Sequence, residues 1–244
     1  MAITRIGHKG ADALVPGNTI ASFEKAVAVG VDVIEFDVLW LEDGRPEMPA
    51  AERSPLVVAH DWHAAASREI LTLDDALEVF TRPPLDKVRF NLDFKLPGRE
   101  AEAVELVRGH GLADRLSIST MEYSTVEHFR DLAPDISRGW TVPKVTKDWL
   151  SKPAWMKPAL LAGLAMVRYR MPPTVRKGIA DLDVSAVWAF YGVVTPRLVD
   201  VVKGAGAELN VWTVDDPERI ERLTEMGVDG VCSNDPRLLN PRPA

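Results

Sequence analysis

The sequence predicts a single α/β domain over residues 1–244, a closed (β/α)8 barrel with a short strand excursion after the second strand. Short apolar runs rich in β-branched residues alternate with helix-like stretches almost from end to end, the pattern of βαβ units and a parallel sheet. About eight such units in a chain of about 250 residues is the arithmetic of a barrel. The composition agrees. Hydrophobic residues at 46% and charged residues at 27% are ordinary globular values, and a chain this long buries a core without disulfides.

Strands are expected at Thr4–His8, Val33–Trp40, Leu56–His60, Arg89–Lys95, Arg115–Thr120, Ile136–Val142, Val184–Phe190, Glu208–Val214 and Gly230–Ser233. Helices are expected at Thr19–Val29, Leu73–Phe80, Glu100–Gly109, Ser124–Leu132, Pro196–Lys203 and Pro217–Met226. Asn18, Thr72 and Asp216 supply N-caps, and Gly30, Gly111, Gly204 and Gly227 supply C-terminal stops. Nine strands is one too many for the barrel. The spare is Leu56–His60, because the stretch before it holds Asp43-Gly44, Pro46 and Pro49 with no helical period, whereas a parallel crossover needs a helix. It is read as an excursion returning across the barrel mouth.

The N-terminus lacks the basic and apolar regions of a secretory signal. The longest apolar run, Ala159–Val167, is far shorter than the roughly 20 residues of a spanning helix. One cysteine, Cys232, forms no internal disulfide, so a cytoplasmic protein is expected. The net charge of −7 disfavours nucleic-acid binding. That charge is uneven. Residues 138–177 carry nine Lys/Arg against one acid, together with Trp140, Trp149 and Trp155. The segment reads either as a solvated barrel loop or as a peripheral membrane contact at the catalytic mouth. Its one helix, Ala159–Met171, is expected to be bounded by prolines that include Pro158, Pro172 and Pro173.

Chemistry in such a barrel sits at the C-terminal strand ends. These ends hold His8, then Glu35 and Asp37, then His60-Asp61, then Asp93 and Lys95. Alternation puts Glu35 with Asp37, and Asp93 with Lys95, on the interior face, while Ile34, Phe36, Val38, Leu92 and Phe94 face the other way. Three buried carboxylates need a cation, and oxygen ligands suit Mg²⁺ or Ca²⁺. Plain ion pairs with Lys95 and Arg89 are the competing reading. His8 and His60 beside such a cluster suggest a general acid and a general base.

His8-Lys9-Gly10-Ala11, Pro16-Gly17-Asn18-Thr19, Ser22-Phe23, Gly30, Ile34-Glu35-Phe36-Asp37-Val38 and His60-Asp61 resemble the glycerophosphodiester phosphodiesterase pattern. Asn91-Leu92-Asp93-Phe94-Lys95, Asn210 to Asp216 and Gly227 to Val231 extend the likeness, which omits Pro143 to Asp183. The resemblance implies a TIM barrel and a metal-dependent enzyme cleaving glycerophosphodiesters to glycerol 3-phosphate and an alcohol. It implies metal ligands at Glu35, Asp37 and Asp93, acid/base roles for His8 and His60, and substrate contacts at Lys9, Lys95 and Trp212. It further implies attack by the substrate's own hydroxyl, with a cyclic phosphate then opened by water. Three departures stand out. Gly17 replaces the glutamate of P-E-N-T, Lys9 replaces an arginine, and Asp93 is shorter than the usual glutamate, as in the sphingomyelinase D branch. The alternatives are a phospholipase D-like enzyme on lysophospholipids and a non-catalytic barrel binding phosphodiesters or polyols.

Overall fold

The computed structural model describes residues 3–67, 70–144 and 157–240. Its strands are β1 (Thr4–Gly7), β2 (Val33–Leu39), β3 (Val57–Val58), β4 (Arg89–Phe94), β5 (Leu116–Thr120), β6 (Ser137–Val142), β7 (Ala186–Phe190), β8 (Glu208–Trp212) and β9 (Gly230–Ser233). All but β3 run parallel, and β1 pairs with both β2 and β9, closing an eight-stranded TIM barrel. β3 lies outside the closed ring, antiparallel to the C-terminal end of β2 through Val38↔Val58 and Leu39↔Val57. The spare strand is therefore the one expected.

The helices are α1 (Ile20–Val29), α2 (Trp62–Ala66), α3 (Leu73–Phe80), α4 (Glu100–Gly109), α5 (Tyr123–Leu132), α6 (Lys157–Leu182), α7 (Pro196–Gly204) and α8 (Pro217–Met226). Thr19, not Asn18, caps α1, its hydroxyl accepting from the Ser22 amide. The Asn18 side chain is engaged with Asp37 instead. α7 stops at Ala205, with Gly206 rather than Gly204 taking the left-handed turn. The short α2, capped by Asp61, was not foreseen. Five residues carry too little periodicity to be read.

Outward-facing side chains build the core between strands and helices. Ile34, Phe36 and Val38 of β2 pack with Phe23, Phe80 and Phe90, and the Phe80 and Phe90 rings stack at 3.8 Å. At the opposite end of the barrel, Arg5 forks onto Asp32 at 2.9 Å and 3.0 Å, tying β1 to the start of β2.

The segment after β6 departs most from expectation. α6 runs straight through Pro172 and Pro173, so these prolines do not bound it. Met171, Val175, Ile179 and Leu182 form a buried stripe on the barrel, and this packing offsets the hydrogen bonds the prolines lose. Trp140 is a packing residue. A Cβ on Gly178 of α6 would fall 2.2 Å from its ring, and Tyr123 meets it edge-on at 5.5 Å. Several of the basic residues are also engaged: Arg138 is buried against Asp183, Lys144 pairs with Glu122, and Arg168 donates to the Gly192 carbonyl. Trp149, Trp155, Lys147 and Lys152 lie outside the described residues. No described helix is long and apolar enough to cross a membrane.

Candidate active site

The site grows from the ends of β1, β2 and β4. β2 and β4 pair in register with Asp37 opposite Asp93, which brings carboxylates of adjacent strands to one height in the barrel. Glu35 and Asp37 both point inward because two residues separate them along a strand. The result is a buried cluster in which one oxygen from each of Glu35, Asp37 and Asp93 lies within 4.8 Å of the others.

Lys95 joins this cluster from the residue just past β4. Its ammonium pairs with Asp37 Oδ1 at 2.6 Å and with Asp93. The Asp37 contact is short and charge-assisted, and the other oxygen of that carboxylate is held by Asn18. Burial would raise the Asp37 carboxyl, but Lys95, His60 and His8 together hold it below the usual carboxylate range. Burial also opposes the Lys95 charge, and Asp37, Asp93 and Glu35 overcome it, holding the ammonium well above its ordinary value. Glu35 goes the other way. Burial, reinforced by Asp37, pushes its carboxyl well above the ordinary range. One lysine thus leaves the three acids short of positive charge, and a divalent cation is the kind of group that fits this donor set.

The loop from β1 to α1 frames the cluster. The His8 amide donates to the Ser233 carbonyl at 2.9 Å, carrying the β1–β9 ladder one residue further and setting His8 at the mouth. Its Nε2 lies 3.9 Å from Glu35 Oε2. Burial lowers the imidazole pKa, with Asp37 partly opposing. Lys9 follows with φ 50°, and its amide donates to Glu35 Oε2 at 3.0 Å. Asn18, at φ 57°, clasps Asp37 from two sides, its Nδ2 donating to Oδ2 at 2.8 Å and its Oδ1 accepting the Asp37 amide at 3.1 Å.

His60 stands just after β3, about half exposed, with Nδ1 3.2 Å from Asp61 Oδ2. Its charge reaches Asp37, so it belongs to the same electrostatic neighbourhood. Trp212 ends β8 with its ring N–H on the Trp188 carbonyl at 3.1 Å and its face near Phe190. His110 pairs with Asp74 and His128 with Glu100, apart from the cluster.

Four supporting groups had no role assigned from sequence, although two of them, Asn91 and Asp215, stand within the family-like motifs. Asn234 Oδ1 sits 2.6 Å from His8 Nδ1, and Asp215 accepts from both the Asn234 side chain and its amide. Ser119 reaches Asp93 Oδ1 at 3.3 Å, and Asn91 donates to Ser119 at 2.9 Å. Alternation in Leu116-Ser117-Ile118-Ser119 was a signal for the serines. Asn234 had none, since only the closure of β9 on β1 brings it to His8.

A closed parallel barrel with an acidic cluster, a lysine and a histidine at the C-terminal ends of its strands, and a second histidine on the excursion after β3, belongs to the class of barrels that carry their chemistry in the βα loops. The comparisons say which. The model of the glycerophosphoryl diester phosphodiesterase family matches residues 8–48 and 63–238, and the chain belongs to that family. The family takes its name from a phosphoric diester hydrolase activity. A glycerophosphodiester phosphodiesterase of Caldanaerobacter subterraneus subsp. tengcongensis is 27% identical, over 96% of this chain and 95% of its own. A probable glycerophosphodiester phosphodiesterase 2 of Mycobacterium tuberculosis is 25% identical, over 96% and 88% respectively. Among solved structures, an Oleispira antarctica phosphodiesterase in complex with the product sn-glycerol-3-phosphate has a TM-score of 0.68 at 22% identity, covering 96% of this chain and 94% of that one.

Proposed function

We propose that the protein hydrolyses glycerophosphodiesters to glycerol 3-phosphate and the free alcohol, with His8 as general base, His60 as general acid and a divalent cation on Glu35, Asp37 and Asp93. The carrying observation is the charge-deficient carboxylate cluster beside a histidine whose tautomer is set. Asp215 can only accept, so the Asn234 amide turns its NH₂ to Asp215 and its oxygen to His8. Nδ1 of His8 must then carry the proton. Nε2 is left with a lone pair on the side of the acidic cluster.

From that state His8 Nε2 takes the proton of the substrate's own adjacent hydroxyl as that oxygen bonds to phosphorus. The bond from phosphorus to the alcohol oxygen breaks, His60 supplies a proton to the departing alkoxide, and a cyclic phosphate is left. Water then opens it to glycerol 3-phosphate, giving its proton to His60 while His8 returns one to the ring oxygen that leaves phosphorus. When bound, the cation supplies charge neutralisation at the phosphoryl oxygens. Lys95 and Lys9 add positive charge beside the phosphate, and Asn18 keeps Asp37 in place. Mg²⁺ and Ca²⁺ both suit an all-oxygen donor set of this kind.

A second reading, a phospholipase D-like activity on lysophospholipids at an anionic bilayer, is favoured by one observation. Leu161, Met166 and Tyr169 are exposed on the N-terminal half of α6, while Leu164 and Val167 of the same half pack against the core. Phosphate-ester release from glycerophosphocholine, glycerophosphoethanolamine and lysophosphatidylcholine, each with and without EDTA, separates the readings. Chelator-sensitive turnover of the first two supports the main one. Turnover of the lysolipid alone, with salt-sensitive liposome binding, supports the second. Binding of these esters without turnover points to the non-catalytic barrel.

A further inference from the structure

Asp12 lies in the loop between β1 and α1, and both of its carboxylate oxygens are engaged. Oδ2 is 3.3 Å from the Lys9 ammonium, and Oδ1 accepts the Gly17 amide at 2.7 Å. The arrangement depends on a missing side chain. A Cβ on Gly17 would fall 2.5 Å from Asp12 Oδ1 and 2.6 Å from Lys9 Cβ. Gly17 does not have a left-handed φ, so close approach rather than backbone freedom demands glycine there. Where the family pattern places a carboxylate at position 17, this chain brings one in from position 12.

We propose that Asp12 is a positioning residue that aims the Lys9 ammonium at the substrate phosphate. The proposal rests on the reading that Lys9 faces that phosphate. The Lys9 side chain is only partly buried, and a free lysine spreads its charge over many rotamers. An ammonium has three protons, so one held by Asp12 leaves two for phosphoryl oxygens. The same loop is closed by the Asn18 amide on the Lys9 carbonyl at 3.0 Å, so the carboxylate, Lys9 and the Asn18 clasp on Asp37 form one connected unit.

The test compares Asp12→Asn, Asp12→Ala, Lys9→Ala and the Asp12→Ala/Lys9→Ala pair. It reads kcat and KM on glycerophosphocholine and, separately, affinity for inorganic phosphate. Asp12→Asn keeps an acceptor for the Gly17 amide and removes a negative charge. An acid that merely drew charge off Lys9 would, once neutralised, tighten phosphate binding. An acid that aims Lys9 loosens it, by about three- to tenfold, with a matching rise in KM. Asp12→Ala should cause no further loss in the Lys9→Ala background. Tighter or unchanged phosphate binding in Asp12→Asn, equal losses with and without Lys9, or no phosphate binding by the unaltered protein would each overturn the proposal. The phosphate titration decides the role of Asp12 even if glycerophosphocholine is not turned over.

Discussion

Asn234 Oδ1 lies 2.6 Å from His8 Nδ1, and Asp215 fixes which end of the amide points there. Two groups from the far end of the chain thus determine which nitrogen of an N-terminal histidine is free. Asn234→Ala should lower kcat about tenfold or more while KM and melting temperature change little, because the imidazole loses its tautomer and orientation but not its site. Steady-state kinetics beside thermal unfolding checks this. A variant with full turnover removes Asn234 from the account.

The two site histidines should stand apart from the rest. His8→Ala and His60→Ala are each expected to reduce kcat by roughly 10²-fold or more, the usual scale of acid–base catalysis. His110→Ala and His128→Ala, which lose only pairs with Asp74 and Glu100, should change it little. Parallel kinetics on the four variants reads this directly.

The pH profile follows from burial. His8 works as a base only when neutral, and burial lowers its pKa below the ordinary imidazole value. A bound cation would push it further in the same direction. kcat/KM should therefore hold from neutral pH down past about 6.5 and fall only below the lowered pKa, as His8 protonates. An acid limb centred above pH 7 would contradict this assignment.

Gly178 offers a test of the fold away from the chemistry. Its missing Cβ is what allows Trp140 to lie against α6. Gly178→Ala should cost about 1–3 kcal/mol of stability through overpacking, despite the better helix propensity of alanine. Denaturant unfolding with unchanged m-value would show it.

Much of this molecule was legible because strand periodicity is a local property. Alternation in Val33–Leu39 and Arg89–Phe94 was enough to put Glu35, Asp37 and Asp93 on one face, and the parallel register then made them neighbours. Loop composition between Trp40 and Leu56 likewise marked β3 as lying outside the ring. What stayed hidden depends on closure. Asn234 meets His8 across β1 and β9, and Ser119 meets Asp93 across β4 and β5, contacts no window of sequence contains. Asn18 looked like a helix cap because asparagine favours that position, yet its side chain is spent on Asp37 while Thr19 caps the helix. Pro172-Pro173 looked like a helix end because local propensity says so. Burial of Met171, Val175 and Ile179 overrides it.

The central claim is that Glu35, Asp37 and Asp93 hold a cation needed for phosphodiester cleavage. The most direct measurement is release of glycerol 3-phosphate from glycerophosphocholine by the purified protein. It should be run after EDTA treatment and again after adding back Mg²⁺ or Ca²⁺, alongside Asp37→Asn. The account predicts turnover abolished by the chelator, restored by one of the two ions, and absent in the Asp37→Asn variant, which should remain folded. Full activity in EDTA, or Asp37→Asn turnover that still responds to added metal as the unaltered protein does, would contradict it.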